Sequence, residues 1–167
     1  MNYIRNISEL LYSSLGLNPR KFFVITYGLA VVWNVVCSLL FQFFPISQNI
    51  ADSTEPIENI DNYLIAVLLI APLFETLIFQ FAIQNTLRYL SGNLAASIML
   101  TTVLFSSMHL VNSYENAINT MAVGLAFGLT FEYIRLRFGN VCSILSVSII
   151  HFFWNSTVVI GIGYFVM

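Results

Sequence analysis

The chain has 167 residues, of which 58% are hydrophobic and only 8% are charged, with a formal net charge of -2. Because a water-soluble domain carries about 25% charged residues, this composition excludes an ordinary soluble enzyme and predicts an integral membrane protein. We expect the lipid bilayer to be its main surrounding, and we expect no nucleic-acid partner.

Residues 1–21 precede the first long apolar run and are predicted to form a cytoplasmic N-terminal segment. A short amphipathic helix at the membrane surface is one interpretation, and a partly ordered leader is the other. The apolar positions that favour the helix recur at helical spacing: Ile4, Ile7, Leu10, Leu11 and Leu15. We expect no cleavable signal peptide, since the first apolar run is too long for one.

The rest of the chain, residues 22–167, is predicted to be a single transmembrane domain. Its fold class is all-α, a polytopic helix bundle with about five spans, each suited to a hydrocarbon core of about 30 Å. The predicted spans cover roughly residues 22–44, 63–87, 94–111, 117–134 and 141–166. A polar segment at 45–62 joins the first two, and short turns at 88–93, 112–116 and 135–140 join the others.

The basic residues predict the orientation of the bundle. They lie before the first span, after the second and after the fourth: Arg5, Arg20, Lys21, Arg88, Arg135 and Arg137. Segment 45–62 has no Lys or Arg. Under the positive-inside rule the N-terminus is cytoplasmic and the C-terminus exoplasmic, in a multi-pass protein of the bacterial cell membrane. Cys37 and Cys142 then lie near opposite ends of different spans, so no disulfide is expected.

Two patterns in the fourth span predict how the helices pack. Gly124 and Gly128 form a G-x-x-x-G motif, which allows close helix approach. We interpret it as internal packing rather than dimerisation, and the oligomeric state stays open. Glu132 and Arg135 are spaced three residues apart and are predicted to form an ion pair at the cytoplasmic interface.

Ionisable and amide side chains inside apolar spans are the main functional signal. Glu75 lies in the second span, His109 in the third, and both His151 and Asn155 in the fifth. Such groups are costly in lipid, so they normally face a polar cavity and one another. At about 1.5 Å per residue their depths overlap near the middle of the bilayer, which predicts one shared cavity.

Several interpretations of this set are open. Taken singly, each residue could be a structural hydrogen-bonding group or part of a transporter's proton site. As a set, Glu75 and His109 could activate a water while His151 and Asn155 donate to a developing oxyanion. One Glu with two His also resembles a zinc ligand set. However, no H-E-x-x-H is present, and a metal-bound Glu75 would leave no intramembrane acid as base, so we expect no cofactor. Nucleophilic serine catalysis is less favoured.

Three short motifs carry a family resemblance. They run from Glu75 through Thr76 to Gln80, from Phe105 to His109, and from His151 to Asn155. In this order on successive spans they resemble the CAAX protease and bacteriocin-processing (CPBP, or Abi) family, relatives of type II CAAX prenyl endopeptidase. The motifs of that family are E-E-x-x-x-R, F-x-x-x-H and H-x-x-x-N or H-x-x-x-D. The resemblance covers residues 63–160.

The resemblance implies an intramembrane endopeptidase acting on a peptide or membrane-protein substrate, with a role in peptide processing or bacteriocin self-immunity. Glu75, His109, His151 and Asn155 match its catalytic positions, while Thr76 and Gln80 replace a glutamate and an arginine. Because both charged residues are replaced, neither charge is left buried without its partner. This favours a variant with an intact site over a decayed one. Two alternatives stay open: a non-catalytic scaffold that binds a partner membrane protein, and a small proton-coupled transporter.

Overall fold

The computed structural model describes residues 18–44 and 59–166, with side chains followed as far as Ile160. The predicted amphipathic helix lies almost wholly outside these residues, as does most of the predicted 45–62 loop. The first described helix, α1, spans Pro19–Phe43. Asn18 caps it by accepting a hydrogen bond from the backbone N–H of Lys21 at 2.9 Å, with Pro19 at the first helical position. The helix therefore begins before residue 22, where the sequence predicted its start.

Helix α2 spans Ile60–Ser91 and includes two π-helical stretches, Ala66–Ile70 and Thr76–Gln84. Between them lies Pro72, which has no N–H to donate to the carbonyl one turn earlier. Where the register of the backbone hydrogen bonds changes, other groups can donate to a carbonyl that has lost its partner in this way. Such π-helical turns often occur at functional sites. These π-helical stretches were not predicted from the sequence. Glu75 lies directly before the second one.

A tight turn at Gly92, with φ of 63°, connects α2 to α3. Helix α3 spans Leu94–Met108 and continues as a single 3-10 turn, His109–Val111. Asn93 caps its start by accepting from the N–H of Ala96 at 3.1 Å. The predicted third span, 94–111, has the same bounds as this helix and its 3-10 turn. His109 thus lies where the α-helix tightens.

The last helical run, Tyr114–Val166, has 53 residues and is broken at Gly139, whose φ of 84° and ψ of 177° are not helical. An unbroken helix of that length would extend about 80 Å, far more than a hydrocarbon core of about 30 Å. The break divides the run into two helices, α4 (114–138) and α5 (140–166). The sequence predicted a turn over 135–140, but the chain stays helical up to the residue before Gly139.

The helices form one bundle, which confirms the predicted all-α membrane fold. By length and composition, four described helical runs are able to span a membrane, and the fourth is the run that Gly139 divides. The main core cluster joins α1 through α5 and is rich in aromatic side chains: Ala30, Phe79, Phe105, Val123, Ala126, Phe127, Phe131, Val147 and Trp154. Both described cysteines are free, as the sequence predicted.

Gly124 and Gly128 pack inside the bundle, which confirms the predicted use of the G-x-x-x-G motif. A Cβ atom on Gly124 would lie 2.9 Å from the Phe105 ring. One on Gly128 would lie 2.9 Å from Gln84 Oε1 and 3.2 Å from Ile98 Cγ2. Hydrogen at these two positions is therefore what lets α4 approach α2 and α3 so closely.

A buried ionic cluster joins α2 to α4 at the end of the bundle that carries the arginines. The Glu132 carboxylate is 2.9 Å from Arg88 and 2.7 Å from Arg135, and Gln84 Nε2 donates to it at 3.3 Å. The predicted pair with Arg135 is confirmed, while Arg88 and Gln84 are additional partners. Because Glu132 is almost fully buried, its charge has to be compensated by a paired cation, and the two arginines provide this.

Candidate active site

The four residues predicted from the sequence line one cavity of about 370 Å³ within the bundle, which we call the site cavity. Glu75 enters it from α2, His109 from the 3-10 turn after α3, and His151 and Asn155 from α5. His151 and Asn155 are four residues apart, so one face of α5 presents both. Three separate elements therefore deliver two imidazoles, one carboxyl and one amide to a single space.

Glu75 and His151 approach each other closely at this cavity. Glu75 Oε2 lies 3.6 Å from His151 Nε2, which is longer than a hydrogen bond. The His151 ring is almost fully buried, with the Phe127 ring centroid 4.6 Å away, whereas about a third of the Glu75 side chain is exposed. A water molecule or a carbonyl oxygen on the cavity side of this pair could therefore contact both groups. The sequence predicted Glu75 as the partner of His109, and it did not predict this closer approach.

The hydrogen bonding of His109 determines which of its ring nitrogens can act on a substrate. Its Nδ1 lies 2.9 Å from the carbonyl oxygen of Phe105. Since a carbonyl only accepts, Nδ1 carries the proton and donates it to this bond. In the neutral ring Nε2 is then the acceptor nitrogen. The 3-10 turn thus leaves His109 suited to take a proton rather than to give one.

Asn155 connects α5 to the first π-helical stretch of α2. Its Nδ2 donates to the backbone carbonyl of Val67 at 2.8 Å. An amide nitrogen has two hydrogens, so the second one is still available to a ligand in the cavity. Asn155 therefore has a structural bond that the sequence did not reveal, beside the donor role that it predicted.

Phe105 is the aromatic centre of the site. It is about 1% exposed and its ring lies 4.8 Å from the His109 ring and 6.0 Å from the His151 ring. It also meets Phe79 on α2, at 5.4 Å, edge to face. Phe105 therefore lies inside the bundle, next to both imidazoles.

Thr76 and Gln80, the two residues that replace charges of the family pattern, are not part of the cavity lining. Both are fully buried on the inner side of α2. In the described residues neither the Thr76 hydroxyl nor either amide atom of Gln80 has a hydrogen-bond partner. Their substitution therefore leaves the composition of the cavity wall unchanged.

The cavity also has polar residues that the sequence motifs did not identify. Tyr63, Asn112, Asn116 and Thr120 line it, and Asn112 also lines a second, more apolar cavity of about 610 Å³ between α2 and α3. Glu75 and His109 border both spaces. The i,i+4 spacing of Asn112 and Asn116 was a possible signal, but the sequence placed both in an outer turn.

The described residues include no group of three or more His, Cys, Asp or Glu side chains arranged to hold a metal ion. Glu75, His109 and His151 share the cavity without forming such a ligand set.

A polytopic helical bundle with an internal Glu, two His and an Asn around one cavity defines a membrane protein with a polar site between its spanning helices. The family model described as type II CAAX prenyl endopeptidase Rce1-like matches residues 62–157 of this chain. The match spans more than half the chain and includes all four cavity residues. The chain belongs to this family of CAAX-protease-type intramembrane endopeptidases. No curated protein and no solved structure matches the chain.

Proposed function

We propose that the chain hydrolyses a peptide bond within the membrane, with Glu75 and His109 activating a water molecule. The observation that carries this proposal is the convergence of Glu75, His109, His151 and Asn155 on one cavity from three helical elements. Membership of the Rce1-like family supports the reaction class. The substrate class is a membrane-associated peptide or a segment of a membrane protein.

The first step forms the bond between the water oxygen and the carbonyl carbon. Glu75 and His109 hold the water, and Glu75 accepts its proton as the oxygen attacks. His109 accepts a hydrogen bond from this water at Nε2, because its Nδ1 already donates to the Phe105 carbonyl. The cost of separating charge in an apolar bundle is reduced because the groups that share the proton are already in place.

The second step stabilises the oxyanion and then breaks the peptide bond. His151 Nε2 and the free Asn155 Nδ2 hydrogen donate to the carbonyl oxygen as it becomes negative. Collapse of this intermediate expels the amine, which receives the proton taken from the water. The products are a carboxylate and an amine, so one peptide bond and one water are consumed per turnover.

We favour a metal-free mechanism with a glutamate base over metal-dependent hydrolysis. The support is that the carboxyl and imidazole groups lack a three-ligand arrangement in the described part of the chain. Peptide maturation or bacteriocin self-immunity is the physiological role we propose.

The experiment is peptide cleavage by the purified full-length protein in liposomes, followed by mass spectrometry of the products. Glu75→Gln and His109→Asn are expected to abolish cleavage while the helical circular dichroism stays unchanged. Ser107→Ala is the matched control, since Ser107 is close to His109 but already donates to the Leu104 carbonyl. Undiminished cleavage by Glu75→Gln would overturn the proposed role of Glu75, whereas no cleavage by the unmodified protein would favour the scaffold interpretation.

A further inference from the structure

The buried polar side chains on the inner face of α2 have no role in the mechanism above. Thr76, Gln80 and Gln84 follow one another at four-residue spacing, and all three are fully buried. In the described residues Thr76 Oγ1, both amide atoms of Gln80, and Gln84 Oε1 have no hydrogen-bond partner. Each such group is costly to bury unpaired, and native buried polar groups are nearly always satisfied.

The contacts between α2 and α4 indicate which residues lie opposite these side chains. Gln84 Nε2 donates to the Gly128 carbonyl, and Arg88 pairs with Glu132, so both contacts join residues 44 positions apart. Gln80 lies about one turn before Gln84 on α2, and Gly124 lies one turn before Gly128 on α4. A Cβ atom on Gly124 would lie 3.6 Å from the Thr102 backbone on α3. This spacing indicates that Gln80 lies near the level where α2, α3 and α4 meet.

Helix α3 brings two more unpaired hydroxyls to this level. Thr101 and Thr102 are buried, and neither of their side-chain oxygens has a partner in the described residues. Hydroxyls in a membrane helix usually bond to their own backbone, and Ser97, one turn earlier, does so with the Leu94 carbonyl at 2.8 Å. The hydroxyls at 101 and 102 are thus free to bind something else.

We propose that ordered water molecules bind along this polar row, defined by Thr76, Gln80, Gln84, Thr101 and Thr102. Water both donates and accepts, as these hydroxyl and amide groups require, and a buried water needs about three polar partners. The row is neutral, so it offers no charge to compensate an ion.

The row gives the site a second supply of water, an inference that rests on the proposed hydrolytic function. Its upper end is Thr76, adjacent in sequence to Glu75. Its lower end is Gln84, which donates to Glu132 in the ionic cluster. Arg88 in that cluster is about one fifth exposed, so the row ends close to the surface of the bundle. When a substrate fills the site cavity, water bound along the row is the proposed source of the one water that each turnover consumes.

The test combines a high-resolution structure of the full-length protein in lipid nanodiscs with steady-state cleavage. In the unmodified protein, water density is expected within about 2.7–3.2 Å of the Gln80 amide atoms. Gln80→Leu and the nearly isosteric Thr101→Val are expected to lose this density. Both are expected to lower kcat about tenfold, the scale of one lost ordered hydrogen bond, with KM within about twofold.

Ser97→Ala is the matched control, because this buried hydroxyl is already bonded to its own helix. It is expected to leave both the density and kcat unchanged. Direct protein bonds to both Gln80 amide atoms with no water between them would overturn the proposal, as would full kcat in Thr101→Val. Water density is read without cleavage, so it persists even if Glu75→Gln stays active and the hydrolytic mechanism fails.

Discussion

Asn155 Nδ2 donates to the backbone carbonyl of Val67 across 2.8 Å, so one proposed oxyanion donor also bonds α5 to a π-helical stretch of α2. A π-helical stretch changes the register of the backbone hydrogen bonds, and its carbonyls can be available to side chains. Glu75 lies two turns further along α2. The position of the carboxyl and that of the amide are thereby coupled through one hydrogen bond.

Asn155→Ala is expected to lower kcat about a hundredfold, the usual effect of removing one oxyanion donor. It should also reduce the free energy of unfolding by about 1 kcal/mol through the lost hydrogen bond. Cleavage assays and chemical denaturation in detergent measure the two effects. Asn34→Ala is the control, since Asn34 Nδ2 makes the same kind of bond from α1 to the Asn119 carbonyl at 3.2 Å. Equal losses of kcat in both variants would contradict a donor role for Asn155.

Gly128→Ala is expected to destabilise the bundle by about 1–3 kcal/mol, the range for overpacking a tight interface. The added methyl would meet Gln84 Oε1 at 2.9 Å and Ile98 Cγ2 at 3.2 Å. Thermal unfolding followed by circular dichroism measures the change. Gly28→Ala in α1 has open space around the added carbon, so its stability should stay the same or rise slightly. A neutral Gly128→Ala would show that α2 and α4 can separate there without cost.

Glu132→Gln is expected to lower the free energy of unfolding by about 2 kcal/mol, because two arginines lose the carboxylate between them. The cost stays below that of a fully buried pair, since both guanidinium groups are partly exposed. Glu115→Gln, in the first turn of α4, is the control. If the two variants unfold at the same temperature, the cluster contributes no net stability.

Chelation is expected to leave cleavage unchanged under the metal-free mechanism. The protein would be treated with EDTA or 1,10-phenanthroline, passed through a desalting column, and assayed in metal-free buffer. Because Glu75 and the two histidines are proposed to act on water directly, the rate should stay within about twofold of the untreated protein. Loss of cleavage that zinc restores, but magnesium does not, would instead assign these residues as metal ligands.

Hydropathy and turn residues predicted most of the backbone. The third span was predicted with its observed bounds because Asn93 caps its start and polar residues follow its end. The starts of α1 and α2 were predicted three residues late, since capping by Asn18 and Asn59 extends each helix beyond its apolar run. The π-helical stretches were missed, because hydropathy carries no information on which carbonyl an amide chooses.

The residues that line the candidate site could be predicted from the sequence, because lone polar groups in apolar spans are rare enough to stand out. Which of these groups lie next to each other was harder to predict. The approach of His151 to Glu75 depends on how α5 packs beside α2, and the bonds of Gln84 depend on the close passage of α4 at Gly128. Such relations between helices arise from tertiary packing, which no single segment encodes.

Only one residue separates α4 from α5, so the connection between the two helices has a fixed length. Gly139 alone departs from helical geometry, with a positive φ that only glycine adopts readily. The number of residues between Gly139 and His151 therefore determines how deep His151 lies in the bundle and which way its side chain points. One inserted residue in α5 before His151 would turn its face by about 100° and carry His151 and Asn155 off the cavity together. We therefore expect insertions and deletions between Gly139 and Asn155 to abolish the proposed activity, whereas substitutions on the lipid-facing side of α5 should have little effect on it.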